Sequence, residues 1–387
     1  MEGAHRWRRF IDFYFEIGLK YKDIKTILES RHGCQISERH LKRVLKARGL
    51  FRRRYYSDLA VLAEFISSQL QYSGQLHGYR WMYVKCRQHG LRVRKEDVRL
   101  VLKELDPSGV SLRQARRLTR RNYLSRGPNF IWHLDSYDKL KPYGVCISGC
   151  IDGFSRKIIW LNAYTTNSDP KLIGGYYIDT VQRLGGCPRV MGGDLGTENG
   201  HVRRFQCLLV PADPGSTLDS YLEGASTANQ RIEYWWGFLR KQCVEFWLSL
   251  FVDLRDNRFF DGGFVDKNLI QFCCTGLIQD ELDDTAQVWN AHIIRPSKNR
   301  NVPSGRPSVM YTLPELYRTR DFLSPVRDQD VQLCKNECIF RLTIPCDPDV
   351  YQLCSLLMTE SHLTTSTDPY QAVNLYMHLR EAISASL

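Results

Sequence analysis

Residues 127–135, with the sequence GPNFIWHLD, mark the point at which the chain changes from helical to strand-like patterns. The apolar run 130–134 predicts a buried β-strand, because short runs of aromatic and β-branched residues are typical of strands. Asp135 follows this run immediately. An acidic side chain is therefore expected at the end of an apolar strand.

The segments that follow predict a β-hairpin. Residues 145–151 and 157–161 are apolar, and the turn-forming stretch 152–156 separates them. Within that turn, Asp152 and Ser155 are interpreted as structural turn residues. The first strand should therefore lie beside two further strands.

Helical and strand-like patterns alternate after the hairpin. Residues 171–184 predict a helix that ends at Gly185, and residues 189–191 predict a strand that runs to Asp194. The order strand, hairpin, helix, strand is typical of an α/β domain.

A later helix should carry Glu233. Ser226 or Thr227 could cap its start, since hydroxyl side chains bond the free amides of a first turn. Its apolar residues follow the helical period; they are Ile232, Trp235, Trp236 and Leu239.

Asp135, Asp194 and Glu233 are candidate ligands for divalent metal ions. Phosphodiester cleavage or transfer needs an aligned nucleophile and positive charge, which two Mg²⁺ ions about 4 Å apart can provide. Mg²⁺ prefers oxygen ligands such as carboxylates. Because the chain has 42 acidic residues, spacing alone cannot select these three, and local context must decide.

Four motifs of the chain resemble those of the integrase core family and occur in the same order. This family includes retroviral-type integrases and many transposases. They are residues 127–135, 151–156, 193–199 and 226–233. Between the two aspartates lie 58 residues, and 38 residues separate Asp194 from Glu233. Residues 289–296 look like the end of such a core, so the resemblance covers residues 128–300.

The resemblance implies an RNase H-like fold with a mixed five-stranded sheet flanked by helices. It also implies that Asp135, Asp194 and Glu233 are catalytic residues that hold two Mg²⁺ or Mn²⁺ ions. The expected substrate is DNA, which such an enzyme nicks at its ends before a 3′-hydroxyl attacks target DNA. A homo-oligomer on DNA is expected, and no small organic cofactor.

Two other functions stay open. The chain could be a host-recruited descendant of a transposase that binds DNA or protein without cutting, or a nuclease without strand transfer. The first alternative is left open by departures from the family pattern at Leu195, at Gln230 and in the run 234–236.

Basic charge is concentrated in the first third of the chain. Residues 1–127 contain 29 Lys and Arg against 12 Asp and Glu, whereas residues 128–387 contain 25 against 30. Because phosphate neutralisation supplies most non-specific affinity for nucleic acid, this asymmetry predicts a DNA-binding arm joined to a less basic domain. Solvated helix faces are the alternative.

The first 56 residues predict three short helices in a helix-turn-helix arrangement. Their apolar positions are Phe10, Phe13, Tyr14, Ile17, Ile24, Ile27, Leu28, Leu41, Val44 and Leu45. Ser37 should cap the third helix, whose polar face could enter a major groove. The candidate DNA-binding residues here are Arg39, His40, Lys42, Arg43, Lys46, Arg52, Arg53 and Arg54.

A second helical unit, residues 57–106, precedes a basic linker. Its apolar positions are Leu59, Leu62, Ala63, Ile66, Val98, Val101, Leu102 and Leu105, and residues 106–109 are expected to end it as a turn. In the linker, arginines three and four residues apart form one basic stripe if the segment is helical; they are Arg113, Arg116, Arg117, Arg120 and Arg121. This stripe suits a DNA backbone or a nuclear import receptor.

Several other residues have side chains that could form a site. Glu198 and Asp138 are spare acidic candidates, and His133 is interpreted as a structural histidine. A zinc site is conceivable at the late residues Cys334, Cys338, Cys346, Cys354 and His362, but no Cys-x-x-Cys occurs, so free thiols are favoured for the thirteen cysteines.

The expected organisation places a helix-turn-helix unit at 1–56, a second helical unit at 57–106, a basic linker at 107–127 and the catalytic core at 128–300. Residues 301–387 form a region of unknown role. No apolar run approaches the roughly 18 residues of a membrane span, and the N-terminal residues lack a signal peptide's apolar segment. We therefore expect an intracellular protein without membrane contact, in the nucleus if the source is eukaryotic and otherwise in the cytoplasm.

Overall fold

A computed structural model provides the coordinates of the chain. The structure describes residues 3–16, 19–52, 54–72, 74, 77–112, 125–210, 219–224, 229–296, 302–365 and 367–386. Arg53 and the five linker arginines predicted to bind DNA lie outside the described residues, as do Ser226 and Thr227.

A five-stranded mixed sheet forms the centre of the fold and confirms the predicted architecture. Its strands are β1 (Ile131–Tyr137), β2 (Cys146–Asp152), β3 (Ile158–Tyr164), β5 (Val190–Gly193) and β6 (Tyr221–Glu223), in the order β3-β2-β1-β5-β6. Strand β1 is antiparallel to β2 and parallel to β5, so it lies in the middle with partners on both sides. The short strand β4 (Gly186–Cys187) pairs with β7 (Ser324–Pro325) in a separate ribbon.

The register of β1 corrects one expectation about Asp135. The strand extends to Tyr137, so Asp135 lies within it, opposite Gly149 of β2, and not at its end. The pairing with β2 continues past the apolar run because backbone hydrogen bonds do not require apolar side chains. By contrast, β5 ends one residue before Asp194, as expected.

Helices cover both faces of the sheet. On one face lie α10 (Gln230–Leu239), α11 (Glu245–Asp256) and α12 (Phe264–Ala291), and on the other lie α8 (Pro170–Leu184) and α9 (Gly200–Leu209). Successive residues of a strand point to opposite faces. Accordingly, the side chains of β1 to β3 divide between two separate hydrophobic clusters.

The 28-residue helix α12 has no counterpart among the sequence-based predictions. Its side chains pack against β3 on one side and against helices from the N- and C-terminal regions on others. Because such a helix buries residues around most of its circumference, it lacks the single apolar stripe that identifies surface helices.

The N-terminal region is helical, as predicted. The first helical unit consists of α1 (Gly3–Glu16), α2 (Tyr21–His32) and α3 (Glu38–Ala47), and Ser37 caps α3 by accepting a hydrogen bond from the His40 amide at 3.1 Å. Its core contains Ile11, which is fully buried, whereas the predicted core residue Phe13 is 55% exposed.

The second helical unit consists of α4 (Leu59–Leu70), α5 (Tyr79–Gln88), α6 (Lys95–Leu105) and α7 (Pro107–Leu112). The expected turn at 106–109 is wrong, because α7 begins there. Pro107 is tolerated at the first helical position, and the Asp106 carboxylate accepts a hydrogen bond from the Gly109 amide at 2.9 Å.

Both helical units dock on the rest of the protein. Trp81 of α5 is buried in the cluster that contains α12, and Lys85 forms a salt bridge with Asp284 of α12 at 2.9 Å. In the first unit, Arg31 bonds Glu315 at 2.8 Å. The helical units are therefore held against the sheet domain by apolar and ionic contacts.

The C-terminal helices complete the existing cores. They are α13 (Pro307–Thr312), α14 (Asp328–Lys335), α15 (Pro348–Glu360) and α16 (Pro369–Ser386). Helix α13 packs on the first helical unit, α14 on α8 and α9, and α15 and α16 on α12. None of the described helices is long and apolar enough to cross a bilayer.

The turn between β2 and β3 is built on Asp152, as predicted for a structural residue. Its fully buried carboxylate accepts hydrogen bonds from the Asn129 amide at 2.7 Å and from the Ser155 amide and hydroxyl at 2.7 and 2.6 Å. Asn129 precedes β1 and has a left-handed φ of 58°, which asparagine tolerates better than most residues. Asp152 thus joins the entry of β1 to the hairpin.

We expect Asp152→Ala to lower the free energy of unfolding by about 3–5 kcal/mol, because three buried donors lose their acceptor. Urea denaturation measures this loss. Asp169→Ala, which removes a partly exposed N-cap carboxylate from α8, is the matched control and should cost about 1 kcal/mol. Equal losses in the two variants would contradict the structural role of Asp152.

Candidate active site

Asp135 lies on the central strand under the start of α10. Its Oδ2 accepts a hydrogen bond from the Trp236 indole at 2.8 Å, and its Oδ1 accepts one from the Ser136 amide at 2.9 Å. The opposite residue, Gly149, makes room for the indole, since a Cβ there would lie 2.6 Å from the Trp236 ring. These contacts define the orientation of the carboxylate.

Asp194 follows β5, which is the parallel neighbour of β1. Its Oδ1 accepts hydrogen bonds from the Asn199 side chain at 2.7 Å and from the Gly196 amide at 3.2 Å. The loop between them is compact, and Leu195 points outwards with 74% of its surface exposed. Asp194 is therefore held just after the carboxyl end of β5 by its own loop.

Glu233 lies in the first turn of α10 and is exposed. The helix begins at Gln230, after Asn229, so the first helical residue comes later than the predicted cap at Ser226 or Thr227. Asn229 ties the helix to β1: its Nδ2 donates to the Leu134 carbonyl at 2.7 Å, and its Oδ1 lies 2.7 Å from Nδ1 of His133. This bridge determines where α10 starts relative to Asp135.

The three predicted carboxylates interact electrostatically. Burial, together with the negative charges of Asp194 and Glu233, raises the pKa of Asp135 to about 6, against the hydrogen bonds from Trp236 and Ser136 that lower it. The folded protein therefore brings these residues into one region, with an excess of negative charge.

Tyr221 of β6 lies beside this region. Its buried hydroxyl has no hydrogen-bond partner among the described residues, and a Cβ on Gly193 would lie 2.4 Å from it. Burial raises the pKa of Tyr221, and the charge of Asp194 raises it further. The Tyr221 hydroxyl and the Asp194 carboxylate therefore lie near each other beside β5.

The donor types fit a divalent metal ion, since carboxylate oxygens are the ligands that Mg²⁺ and Mn²⁺ prefer. The raised pKa of Asp135 and the unpartnered Tyr221 hydroxyl are consistent with a site that lacks a counter-charge. In the described part of the chain, however, no three His, Cys, Asp or Glu side chains are close enough together to form a ready-made metal site. The three carboxylates influence one another electrostatically, but in this structure they are not arranged as the ligands of one metal ion.

The spare acidic candidates have other contacts. Asp138 is exposed and accepts hydrogen bonds from Lys141 at 3.3 Å and Asn167 at 2.6 Å. Glu198 lies in the Asp194 loop, packed against Gly196. His133 is buried, and burial lowers its pKa to about 4, so it is neutral near pH 7 and acts through its contact with Asn229.

Sequence reasoning missed three positioning residues: Trp236, Asn229 and Asn199. Trp236 was interpreted as an apolar helix position and as part of a departure from the family pattern, and the two asparagines lay inside quoted motifs without an assigned role. The signal that could have found them is chemical, because a side chain that donates a hydrogen bond is needed to hold a half-buried carboxylate.

The predicted DNA-binding residues of the first helical unit lie on or just after α3. Lys42, Lys46, Arg52 and Arg54 line a common cleft of about 500 Å³. Arg39 is exposed on the same helix, while Arg43 lies 2.9 Å from the His40 ring. The structure thus brings four of these cations together on one surface.

In the described part of the chain, the late cysteines do not lie together in a group that could hold a metal ion. All thirteen are free thiols, and the late ones are divided between two hydrophobic clusters, with Cys334 in one and Cys354 in the other. Burial raises the pKa of Cys354 to about 11, so its thiol stays protonated near neutrality.

The sheet order, the helices on both faces and the acidic residues at the adjoining strands β1 and β5 define an RNase H-like domain. Residues 122–309 match the family described as "Integrase core domain", so this part of the chain is similar to integrase core domains. No curated protein matches the chain significantly.

We expect Asp135→Asn to stabilise the metal-free protein at pH 8 by about 1–3 kcal/mol, because the substitution removes a disfavoured buried charge. The folded-state pKa of Asp135 is raised, so its contribution to stability is complete below about pH 4 and is lost as the pH rises through about 6. The stabilisation should therefore shrink at pH 5. Thermal unfolding in EDTA at both pH values measures it; Asp138→Asn, the exposed control, should show no such pH-dependent gain.

We expect Trp236→Phe to raise the pKa of Asp135 by about one further unit, because a hydrogen bond to a charged group contributes about 1.5–3 kcal/mol. Carboxyl NMR titration of the metal-free protein measures this pKa. Trp235→Phe is the matched control, since the Trp235 indole has no acceptor among the described residues. An unchanged Asp135 pKa in Trp236→Phe would refute the assigned contact.

Proposed function

We propose that this protein is a metal-dependent DNA strand-transfer enzyme. The observation that carries the proposal is the match of residues 122–309 to the family described as "Integrase core domain", in which Asp135 lies on the central strand and Asp194 follows the parallel neighbour of that strand. Asp135, Asp194 and Glu233 would hold the divalent ions. When bound, such ions activate a water or 3′-hydroxyl and stabilise the departing oxygen.

The protein's own residues supply the positioning in this proposal. Trp236 and Ser136 orient the Asp135 carboxylate, and Asn199 orients that of Asp194. Asn229 connects α10 to β1 and thereby determines the position of Glu233.

DNA is the proposed substrate. The cations on and after α3 would bind phosphates or base edges. The basic residues 113–121 lie outside the described residues. We propose a homo-oligomer on DNA as the active form and, for a eukaryotic source, the nucleus as its location.

A non-catalytic DNA-binding descendant is the second candidate. The observation that favours it is the lack of a ready-made cluster of three metal-ligating side chains among the described residues. Leu195, exposed beside Asp194, adds an apolar surface where the site would meet DNA.

Nicking of supercoiled plasmid with Mg²⁺ or Mn²⁺, followed by strand transfer with labelled DNA ends, tests the proposal. Asp135→Asn, Asp194→Asn and Glu233→Gln should each reduce nicking by about a hundredfold or more, because each removes a ligand charge. Their affinity for DNA should remain close to that of the unaltered protein.

Asp138→Asn and Glu198→Gln are the matched controls and should retain activity. Mg²⁺ should also raise the melting temperature of the unaltered protein more than that of the three variants, since ligands that bind only the native state stabilise it. DNA binding without nicking or an Mg²⁺ effect would overturn the enzyme proposal in favour of the second candidate.

A further inference from the structure

A second basic cleft, of about 510 Å³, lies between the two helical units. The end of α1 and the segment that follows α3 line one side, and α5 with the loop before α6 lines the other. Four arginines line the cleft: Arg52, Arg54, Arg87 and Arg92. Among its described lining residues, Glu16 is the only acidic one.

This cleft adjoins the one beside α3. Arg52 and Arg54 line both, and Lys42 and Lys46 line the α3 side. The basic residues of the first helical unit therefore form one positively charged surface with Arg87 and Arg92 of the second unit.

Carboxylates do not neutralise these arginines. Arg52 donates a hydrogen bond to the Leu19 carbonyl, and Arg87 donates one to the Glu16 backbone carbonyl at 3.2 Å. In the ranges that the structure describes, none of the four arginines forms an ion pair with a carboxylate. Burial lowers the pKa of Arg52, and the charge of Arg87 lowers it further, which indicates repulsion between these two cations of the cleft.

Aromatic rings contact the guanidinium groups of Arg52 and Arg54. Arg52 lies over the Phe15 ring at 4.4 Å, and Arg54 lies over the Phe51 ring at 5.6 Å. A ring covered by its own arginine is not free to stack on a nucleobase, whereas the guanidinium edge can still donate hydrogen bonds. The cleft therefore suits phosphate groups better than bases.

We propose that this cleft is a phosphate clamp, in which Arg52, Arg87 and Arg92 bind the backbone of duplex DNA where it crosses from the first helical unit to the second. The proposal rests on the proposed function only in that DNA is the bound polymer. Phosphates would relieve the repulsion among the cations and fix the two helical units in one orientation on the duplex.

The test measures binding of the full-length chain to a fluorescein-labelled duplex of 20 base pairs and random sequence, as a function of salt. Arg87→Gln with Arg92→Gln should weaken binding about tenfold and reduce the slope of log affinity against log salt by about two, because two phosphate contacts are lost. Arg87→Lys with Arg92→Lys should largely keep the slope, since both charges remain.

Arg99→Gln with Arg255→Gln removes the same charge from outside the cleft, since these arginines pair with Glu96 and Asp256. This control should change the slope much less. Thermal unfolding serves as the folding check, and the glutamine pair at Arg87 and Arg92 should melt no lower than the unaltered protein because it removes repulsion.

The outcomes separate the clamp from the enzyme proposal. An unchanged slope in the folded glutamine pair, or an equal change in the control, would overturn the clamp while leaving strand transfer untouched. If single-stranded DNA of the same length binds more tightly than the duplex, and with a preference among bases, the cleft reads bases and the clamp is wrong. Nicking lost in Asp135→Asn with the slope retained would confirm that binding and catalysis are distinct.

Discussion

The pairing of β1 on both of its edges is the constraint on which the rest of the structure depends. β2 holds one edge and β5 the other, so the backbone of Asp135 cannot move without breaking the sheet. At the entry of β1, the buried Asp152 carboxylate attaches Asn129 to the hairpin turn. A buried, fully bonded polar group of this kind favours one arrangement strongly, because each donor left unpaired would be costly.

The candidate active site is assembled on this strand by side-chain contacts from α10. Asn229 bonds the backbone of β1, and Trp236, two turns further along, reaches Asp135. Gly149 makes that approach possible, since any larger residue would meet the indole. The result is an acidic region whose charge is disfavoured by its own surroundings, which is a common property of sites that bind cations.

Sequence patterns predicted the sheet well and the helices unevenly. β1, β2, β3 and β5 follow local apolar runs, because helices cover both faces of the sheet and most residues of these strands are buried. Helix α12 was not predicted, because it is packed on several sides and has no single apolar stripe. Helix α7 was predicted as a turn, because proline is common both after the end of a helix and at its first position. In both cases tertiary packing or cap geometry outweighed the local signal.

Sequence by itself determined the class of fold, the order of the acidic residues and the basic character of the N-terminal region, because periodicity, motif order and charge are local or additive properties. Only the tertiary structure decided which side chains hold Asp135 and Asp194, and that Arg87 and Arg92 join the cations that follow α3. These contacts link residues up to about a hundred positions apart in the chain, through the pairing of strands and the docking of helices. No pattern along the chain encodes such proximity, since it arises when burial of apolar surface brings distant segments together.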